Sequence, residues 1–311
     1  MITTITLNTA LDRTIEVPDF KVGAVASGSA IAEQPAGKGV NVSRCLATYG
    51  IHSALTGFVG SLEVPLYHNS FRSSGVQTLL VPVEGRTRFD TTILDPKNNT
   101  ETHIREKGFY VTETDLRKLE VVLKRIIDPN EIVALCGSMP PGVSRGDFAK
   151  IVRQCVGKPA RVLVDTSGEP LKAAVDAGPY AIKPNVDELR DLVGMELKDR
   201  LEIAEAALSL TPRITVVIVS LGKDGALLVK GGAVWHGLCP LDQARMVNTV
   251  GCGDALVAGF LAGLEKEMTD EETLRLAVAF GAAAALTSTA GSVRREDIDE
   301  MGQQATVEKI T

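Results

Sequence analysis

Asn248-Thr249-Val250-Gly251-Cys252-Gly253-Asp254-Ala255-Leu256-Val257-Ala258-Gly259-Phe260 carries the densest chemistry in this chain. Two glycines flank one residue, a carboxylate follows, and a run suited to a helix begins at once. Glycine lets successive N–H groups converge on one concavity, and a following helix sets that concavity at the positive end of its dipole. Gly251, Cys252 and Gly253 therefore make a cradle for a phosphoryl group. A carboxylate on the rim of an anion site is repelled by the ligand unless it has a chemical task. Taking a proton from an attacking alcohol is such a task, while the cradle steadies charge on the transferring group. The same residues also permit a plain glycine turn with Asp254 as a helix N-cap.

A second glycine constellation, Pro35-Ala36-Gly37-Lys38-Gly39-Val40-Asn41, opens a helix that closes at Gly50. Val42, Cys45, Leu46 and Tyr49 form its apolar face. Asn41 lies in the first turn on another face, near free backbone N–H groups. An amide there can both donate to and accept from sugar hydroxyls. The lysine precedes glycine rather than Ser or Thr, so this is not a Walker loop, and no G-x-G-x-x-G follows a strand. A purely structural Gly-Lys-Gly turn is the alternative.

Elements must bring these two segments together. From about Glu131 short apolar runs alternate with helical periodicity. Strands are expected at 132–136, 161–165, 180–183 and 214–220, with helices near 145–156, 169–177, 186–193 and 200–210. Strands apolar on both faces imply a mainly parallel sheet covered by helices on each side, with ligands beyond the carboxyl ends of the strands. The polar groups there are Gly137-Ser138, Asp165-Thr166-Ser167, Lys183-Pro184-Asn185 and Ser220-Leu221-Gly222. Residues 12–33 and 86–106 show period-2 patterns with a turn at Pro96-Lys97-Asn98-Asn99, and read as extra antiparallel strands outside the main sheet. Such strands either cover a site and exclude water or form an ordinary edge meander.

The chain has 311 residues, 44% apolar and 23% charged, as expected for a folded globular protein. A formal net charge of −6 and 4% aromatics argue against a nucleic-acid or anionic-membrane surface. Five cysteines without a C-x-x-C pair fit reduced thiols in a cytoplasmic protein, and four dispersed histidines argue against structural zinc. The N-terminus lacks signal-peptide character, and the run Ala277 to Leu286 is about half a membrane span.

In order and separation, the two glycine segments resemble the signatures of the ribokinase-like carbohydrate kinases, the PfkB family. The resemblance covers nearly the whole chain and adds Leu7-Asn8-Thr9-Ala10-Leu11-Asp12, Gly137-Ser138-Met139-Pro140-Pro141-Gly142-Val143, Lys183-Pro184-Asn185-Val186-Asp187-Glu188-Leu189 and Val219-Ser220-Leu221-Gly222-Lys223-Asp224-Gly225-Ala226. The chain looks most like the branch acting on phosphorylated ketohexoses, namely 1-phosphofructokinase, tagatose-6-phosphate kinase and the minor 6-phosphofructokinase. The resemblance implies one three-layer α/β/α domain over 1–311 with a small inserted β-sheet lid.

It further implies an ATP- and Mg2+-dependent kinase with Asp254 as base and Gly251, Cys252 and Gly253 as anion hole. Fructose 1-phosphate is the first expected acceptor, followed by tagatose 6-phosphate and fructose 6-phosphate. Asp12, Gly37, Lys38, Gly39, Asn41 and Ser138 would lie on the sugar side, with Arg88 on the phosphate the sugar already bears. Asn185 and Glu188, the N-x-x-E pair, would place magnesium through water and nucleotide phosphates. Ser220, Gly222, Gly225 and Gly281 would border the nucleotide. Lys183 would approach its phosphates or serve in a structural salt bridge. A homodimer through the lid strands is implied as well.

Departures concentrate in the sugar half: Thr9 for proline, Ala36 for glycine, Asp90 for asparagine, and Arg105-Glu106-Lys107-Gly108 for Asn-Glu-Pro-Gly. Cys252 replaces alanine or serine in a cradle that uses backbone N–H groups. Two further readings are a kinase for an unphosphorylated sugar or nucleoside and a non-catalytic binder of sugar phosphate or nucleotide.

Overall fold

Apolar runs separated by helix-length segments allow each strand to return beside its neighbour in the same direction. The computed structural model describes residues 1–129 and 131–310. The chain begins with β1 (Ile2–Thr6), β2 (Ala10–Glu16), β3 (Ser29–Ala36), α1 (Lys38–Thr48), β4 (Ser53–Gly60), α2 (Val64–Phe71) and β5 (Val76–Val83). Next come β6 (Arg88–Asp95), β7 (Thr100–Arg105), α3 (Glu113–Ile126), β8 (Ile132–Cys136), α4 (Arg145–Val156), β9 (Arg161–Asp165) and α5 (Gly168–Ala177). They are followed by β10 (Ala181–Ile182), α6 (Val186–Val193), α7 (Arg200–Leu210), β11 (Val216–Ser220), β12 (Ala226–Lys230) and β13 (Ala233–Leu238). The last elements are α8 (Cys252–Glu265), α9 (Asp270–Ala285), α10 (Arg295–Gln304) and β14 (Thr306–Lys309).

A ten-stranded sheet runs β14-β13-β12-β11-β10-β9-β8-β1-β4-β5. Every neighbouring pair from β5 to β11 is parallel, and β12, β13 and β14 close one edge antiparallel. The strand residues explain the two covered faces. On β8, Ile132, Ala134 and Cys136 join the core under α1, α8, α9 and α10, whereas Val133 and Leu135 join the core under α3, α4 and α5. Farther along, Val217 and Val219 of β11 pack with Leu189 of α6 and Ile203 of α7. This is the three-layer α/β/α architecture expected from the sequence. Among the described residues no helix is long and apolar enough to cross a membrane.

A separate four-stranded sheet has the order β3-β2-β6-β7. Its outer pairs are antiparallel as expected, but β2 and β6 are parallel, from Ala10 opposite Arg88 to Glu16 opposite Leu94. The physical reason lies in the main sheet. β2 follows β1 and β6 follows β5, and these two feeders run parallel with β4 between them, so both excursions leave the same carboxyl end of the main sheet in one direction. Period 2 marks a strand and carries no such direction. The parallel register sets Asp12 directly opposite Asp90. The turn after β6 is held by Asp95, which accepts from the N–H groups of Lys97 and Asn98.

Candidate active site

The helix α8 begins at Gly251, whose φ of 84° places it in the left-handed region. A Cβ there would lie 2.3 Å from the Gly291 nitrogen, so two glycine backbones cross where no side chain fits. No side-chain hydrogen bond caps this helix start, and Asp254 is its third residue. The N-cap alternative for Asp254 is therefore excluded by position. The first-turn N–H groups of a helix lack intrahelical acceptors and point outward. Asp254 is buried, and its Oδ2 accepts from Asn41 Nδ2 at 2.9 Å. Arg44, one turn along α1, donates from Nη1 to Asn41 Oδ1 at 2.9 Å. Guanidinium only donates, so this contact turns the amide's NH2 toward the carboxylate. Burial pushes the Asp254 carboxyl up to about 6. Lys38, the Asn41 hydrogen bond and Lys183 oppose that rise, and Asp165 adds to it.

Beneath the cradle, Asp165 at the end of β9 binds two ammonium groups. Lys38 Nζ lies 3.1 Å from one carboxylate oxygen, and Lys183 Nζ lies 3.3 Å from the other. Asp165 is fully buried; Lys183 is 4% exposed and Lys38 40%. Burial alone would raise the Asp165 carboxyl, but Lys183 and Lys38 outweigh it and hold it below the usual range. Lys38 in turn is raised, chiefly by Asp165. A Cβ at Gly253 would stand 3.8 Å from Lys183 Nζ, so an ammonium borders the cradle itself. Gly37 (φ 120°) and Gly39 let α1 start against β1, since a Cβ at Gly39 would come 2.5 Å from Thr6 Oγ1.

On the side facing the small sheet, burial raises the Asp12 carboxyl to about 6, helped by Asp90 and Asp254 and opposed by Arg44 and Arg88. Arg88 Nη1 is 3.1 Å from Asp90 Oδ1. Ser138 Oγ accepts from Asn8 Nδ2 at 3.2 Å. A cavity of about 130 Å³ lies between the small sheet and the loops before α8 and after α9, lined by Asp12, Gln34, Asp90, Arg105, Asn248 and Ala290. Gln34 Nε2 donates to Ala290 O at 3.2 Å across its mouth. Thr9, where proline was the family expectation, donates its hydroxyl to Phe58 O at 2.8 Å in the interior.

The remaining expected residues divide. Asn185 and Glu188 form a reciprocal capping box at the start of α6, with bonds of 2.8 and 2.9 Å. Asn185 also bridges to Ser220, so the ends of β10 and β11 meet. Gly222 faces open space, and Gly281 of α9 lies against Cys252 O at the base of α8. Gly225 has a different reason to be glycine: a Cβ there would lie 2.0 Å from Gly237 O in the adjoining strand. Asp12, Lys38, Asn41, Lys183 and Asp254 form one electrostatic group.

The sequence marks Asp165 as a polar strand end and Asn8 as part of a motif without showing a role for either, and it does not single out Arg44 or Gly291. Arg44 was recoverable from its i,i+3 spacing to Asn41. Gly291 carried no local signal, because its constraint is a nonlocal contact. At φ 62°, a Cβ there would approach Asn41 Cγ to 2.3 Å. Gly291→Ala is expected to cost roughly 1–2 kcal/mol of backbone strain and to lower turnover by displacing Asn41 from Asp254. Denaturant unfolding and initial rates check this; wild-type values for both would remove the proposed packing constraint.

The pattern that defines the pfkB family carbohydrate kinases matches residues 6–296. The 1-phosphofructokinase of Bacillus subtilis is 34% identical over 293 residues, covering 94% of this chain and 95% of that protein. That of Vibrio cholerae is 33% identical, covering 99% and 97%. The crystal structure of phosphofructokinase-2 from Escherichia coli in complex with substrates and products superposes with a TM-score of 0.91 at 27% identity, covering 97% of this chain and 98% of that one. Another structure of the same enzyme is described as its tetrameric inhibited form. A family pattern spanning both glycine segments, and relatives matched almost end to end, lead to one conclusion: this chain belongs to the pfkB family of carbohydrate kinases, phosphotransferases that act on a sugar hydroxyl, with the ribokinase-like fold.

Proposed function

We propose that this protein transfers the γ-phosphoryl group of ATP to a primary hydroxyl of a ketohexose phosphate, with fructose 1-phosphate the first candidate. The observation that carries the reading is Asp254 itself. One oxygen is fixed by Asn41, the described hydrogen bonds leave the other free, and the glycine cradle adjoins both. Asp254 takes the proton of the acceptor hydroxyl as that oxygen attacks. The α8 N–H groups and the ammoniums of Lys38 and Lys183 stabilise the charge passing through the cradle. Asp12 and Asn41 orient the sugar, and Arg88 pairs with the phosphate it already bears. The small sheet acts as the lid that excludes water.

The residues fit a magnesium ion brought in by nucleotide phosphates. No cluster of three or more His, Cys, Asp or Glu side chains suited to a metal occurs among the described residues, and a phosphate-held ion needs none. Glu188 would hold its water shell through the carboxylate oxygen that the capping box leaves over. The ion supplies neutralisation of phosphate charge.

A neutral acceptor is the second reading, favoured by the Arg88–Asp90 ion pair. An ADP-release assay with fructose 1-phosphate, fructose 6-phosphate, tagatose 6-phosphate and free ketoses separates the two. Arg88→Ala is expected to raise KM for the sugar phosphate about ten- to a hundredfold. Unchanged KM would move the acceptor to the neutral class.

The acid limb of kcat/KM is expected to fall through about pH 6, because Asp254 must be ionised to accept a proton. Asp12, also pushed up to about 6, loses its charge in the same range, so the limb is steeper than one proton. Asp12→Asn removes one proton from that slope even though the sugar phosphate titrates nearby. An identical slope in both proteins would contradict the assignment of Asp12. Exposed β7 and the exposed Ile31 and Ile104 on the edge strands support a homodimer formed through the lids.

A further inference from the structure

Arg88 and Asp90 sit two residues apart on β6, on the same face of the strand, and their side chains are only 14% and 23% exposed. Their charges meet at 3.1 Å, but the contact is poorly made. Arg88 Nε and Asp90 Oδ1 are both buried without a hydrogen-bond partner. Two-pronged pairing is what a guanidinium and a carboxylate achieve when nothing prevents it. Here Arg88 Nη1 is drawn instead toward the Glu106 carbonyl at 3.4 Å. Asp90 meets the like charge of Asp12 directly opposite on β2 and the cation Arg105 directly opposite on β7. Buried polar atoms left unmatched in a native fold call for a reason.

We propose that Asp90 determines acceptor specificity as an internal competitor, occupying Arg88 in a deficient ion pair that the acceptor's phosphate must displace. This rests on the reading that Arg88 binds the phosphate of the sugar. A phosphate dianion offers three oxygens and takes Nε and a terminal nitrogen together, satisfying the nitrogen that Asp90 leaves unmatched. A neutral sugar or a weak anion offers no such exchange, so Asp90 keeps Arg88 from accepting it. The released carboxylate then turns toward Arg105, its cross-strand neighbour.

The test is a cycle of Asp90→Asn, Arg88→Ala and the double variant, with fructose 1-phosphate as the acceptor and thermal unfolding as the check of folding. Asp90→Asn is expected to lower KM about three- to tenfold, the scale of a half-buried ion pair that no longer has to be broken. With Arg88→Ala present, the same change is expected to shift KM less than about twofold, because the competition has lost its object. Inorganic phosphate, as a competing anion, should inhibit Asp90→Asn more strongly than wild type. Asp90→Ser repeats the measurement with a smaller side chain should the amide perturb the strand. If Arg88→Ala raises KM and Asp90→Asn raises it too, Asp90 is an acceptor ligand and the competitor role is overturned alone. If Arg88→Ala leaves KM unchanged, the phosphate reading falls and takes this one with it.

Discussion

Asp254→Asn is expected to lower turnover by about a hundred- to ten-thousandfold while making the protein harder to unfold. The amide keeps the shape of the carboxylate and its contact with Asn41, but it accepts no proton from the acceptor. The stability gain follows from linkage. Burial lifts this carboxyl from its ordinary value of 3.8 to about 6, so the folded state holds the proton more tightly than the unfolded chain. The sign is therefore that this group favours the fold most below the unfolded value and loses that contribution as pH rises through about 6. At neutral pH the ionised side chain costs the fold on the order of 1–3 kcal/mol, which asparagine avoids. A Tm higher by a few degrees together with a collapsed kcat is the signature. Equal turnover in the variant would eliminate Asp254 as base, and lowered stability would show that its charge is better compensated than Lys38 and Lys183 imply.

Asp165→Asn is expected to destabilise the protein by about 3–5 kcal/mol, because it leaves Lys183 as a buried ammonium without its counter-charge. Lys38, at 40% exposed, recovers water and contributes little to that cost. Activity should fall as well, since Asp165 holds both ammoniums and that of Lys183 borders the cradle. The discriminating variant is Asp165→Asn combined with Lys183→Met. Removing the stranded charge should restore much of the stability and none of the rate. Urea unfolding and single-turnover rates report the two separately. If Asp165→Asn unfolds within about 1 kcal/mol of wild type, the triad is not the electrostatic foundation of the site.

The middle of the main sheet, β8 to β11, was legible because its strands carry short apolar runs bounded by turn residues, as at Ile132–Cys136 and Arg161–Asp165, whereas β1, β4, β5 and the antiparallel edge β12 to β14 were not. The helices with Ser, Thr or Asn and an acid three residues on, such as those at Ser144 and Asn185, begin where the chain announces them. Gly225, which the family motif sets beside the nucleotide, also has a packing reason to be glycine in the carbonyl of Gly237, a nonlocal contact without a local signal. Strand direction in the small sheet was not legible, since alternation of side chains is the same for either direction.

What the residues by themselves determined was the chemistry available: a glycine cradle on a helix start, a carboxylate beside it, and an amide and a lysine on a second glycine turn. Those are short-range properties, set by backbone freedom and helix polarity within a few residues. Only the tertiary structure decided which groups act on one another. Asn41 meets Asp254 across 213 positions of chain, and Lys38 meets Asp165 across 127. Asp12 faces Asp90 because two excursions leave the same carboxyl end of the main sheet in one direction. Charge interactions depend on separation in space and on the water excluded between groups, and neither is fixed until the layers have packed.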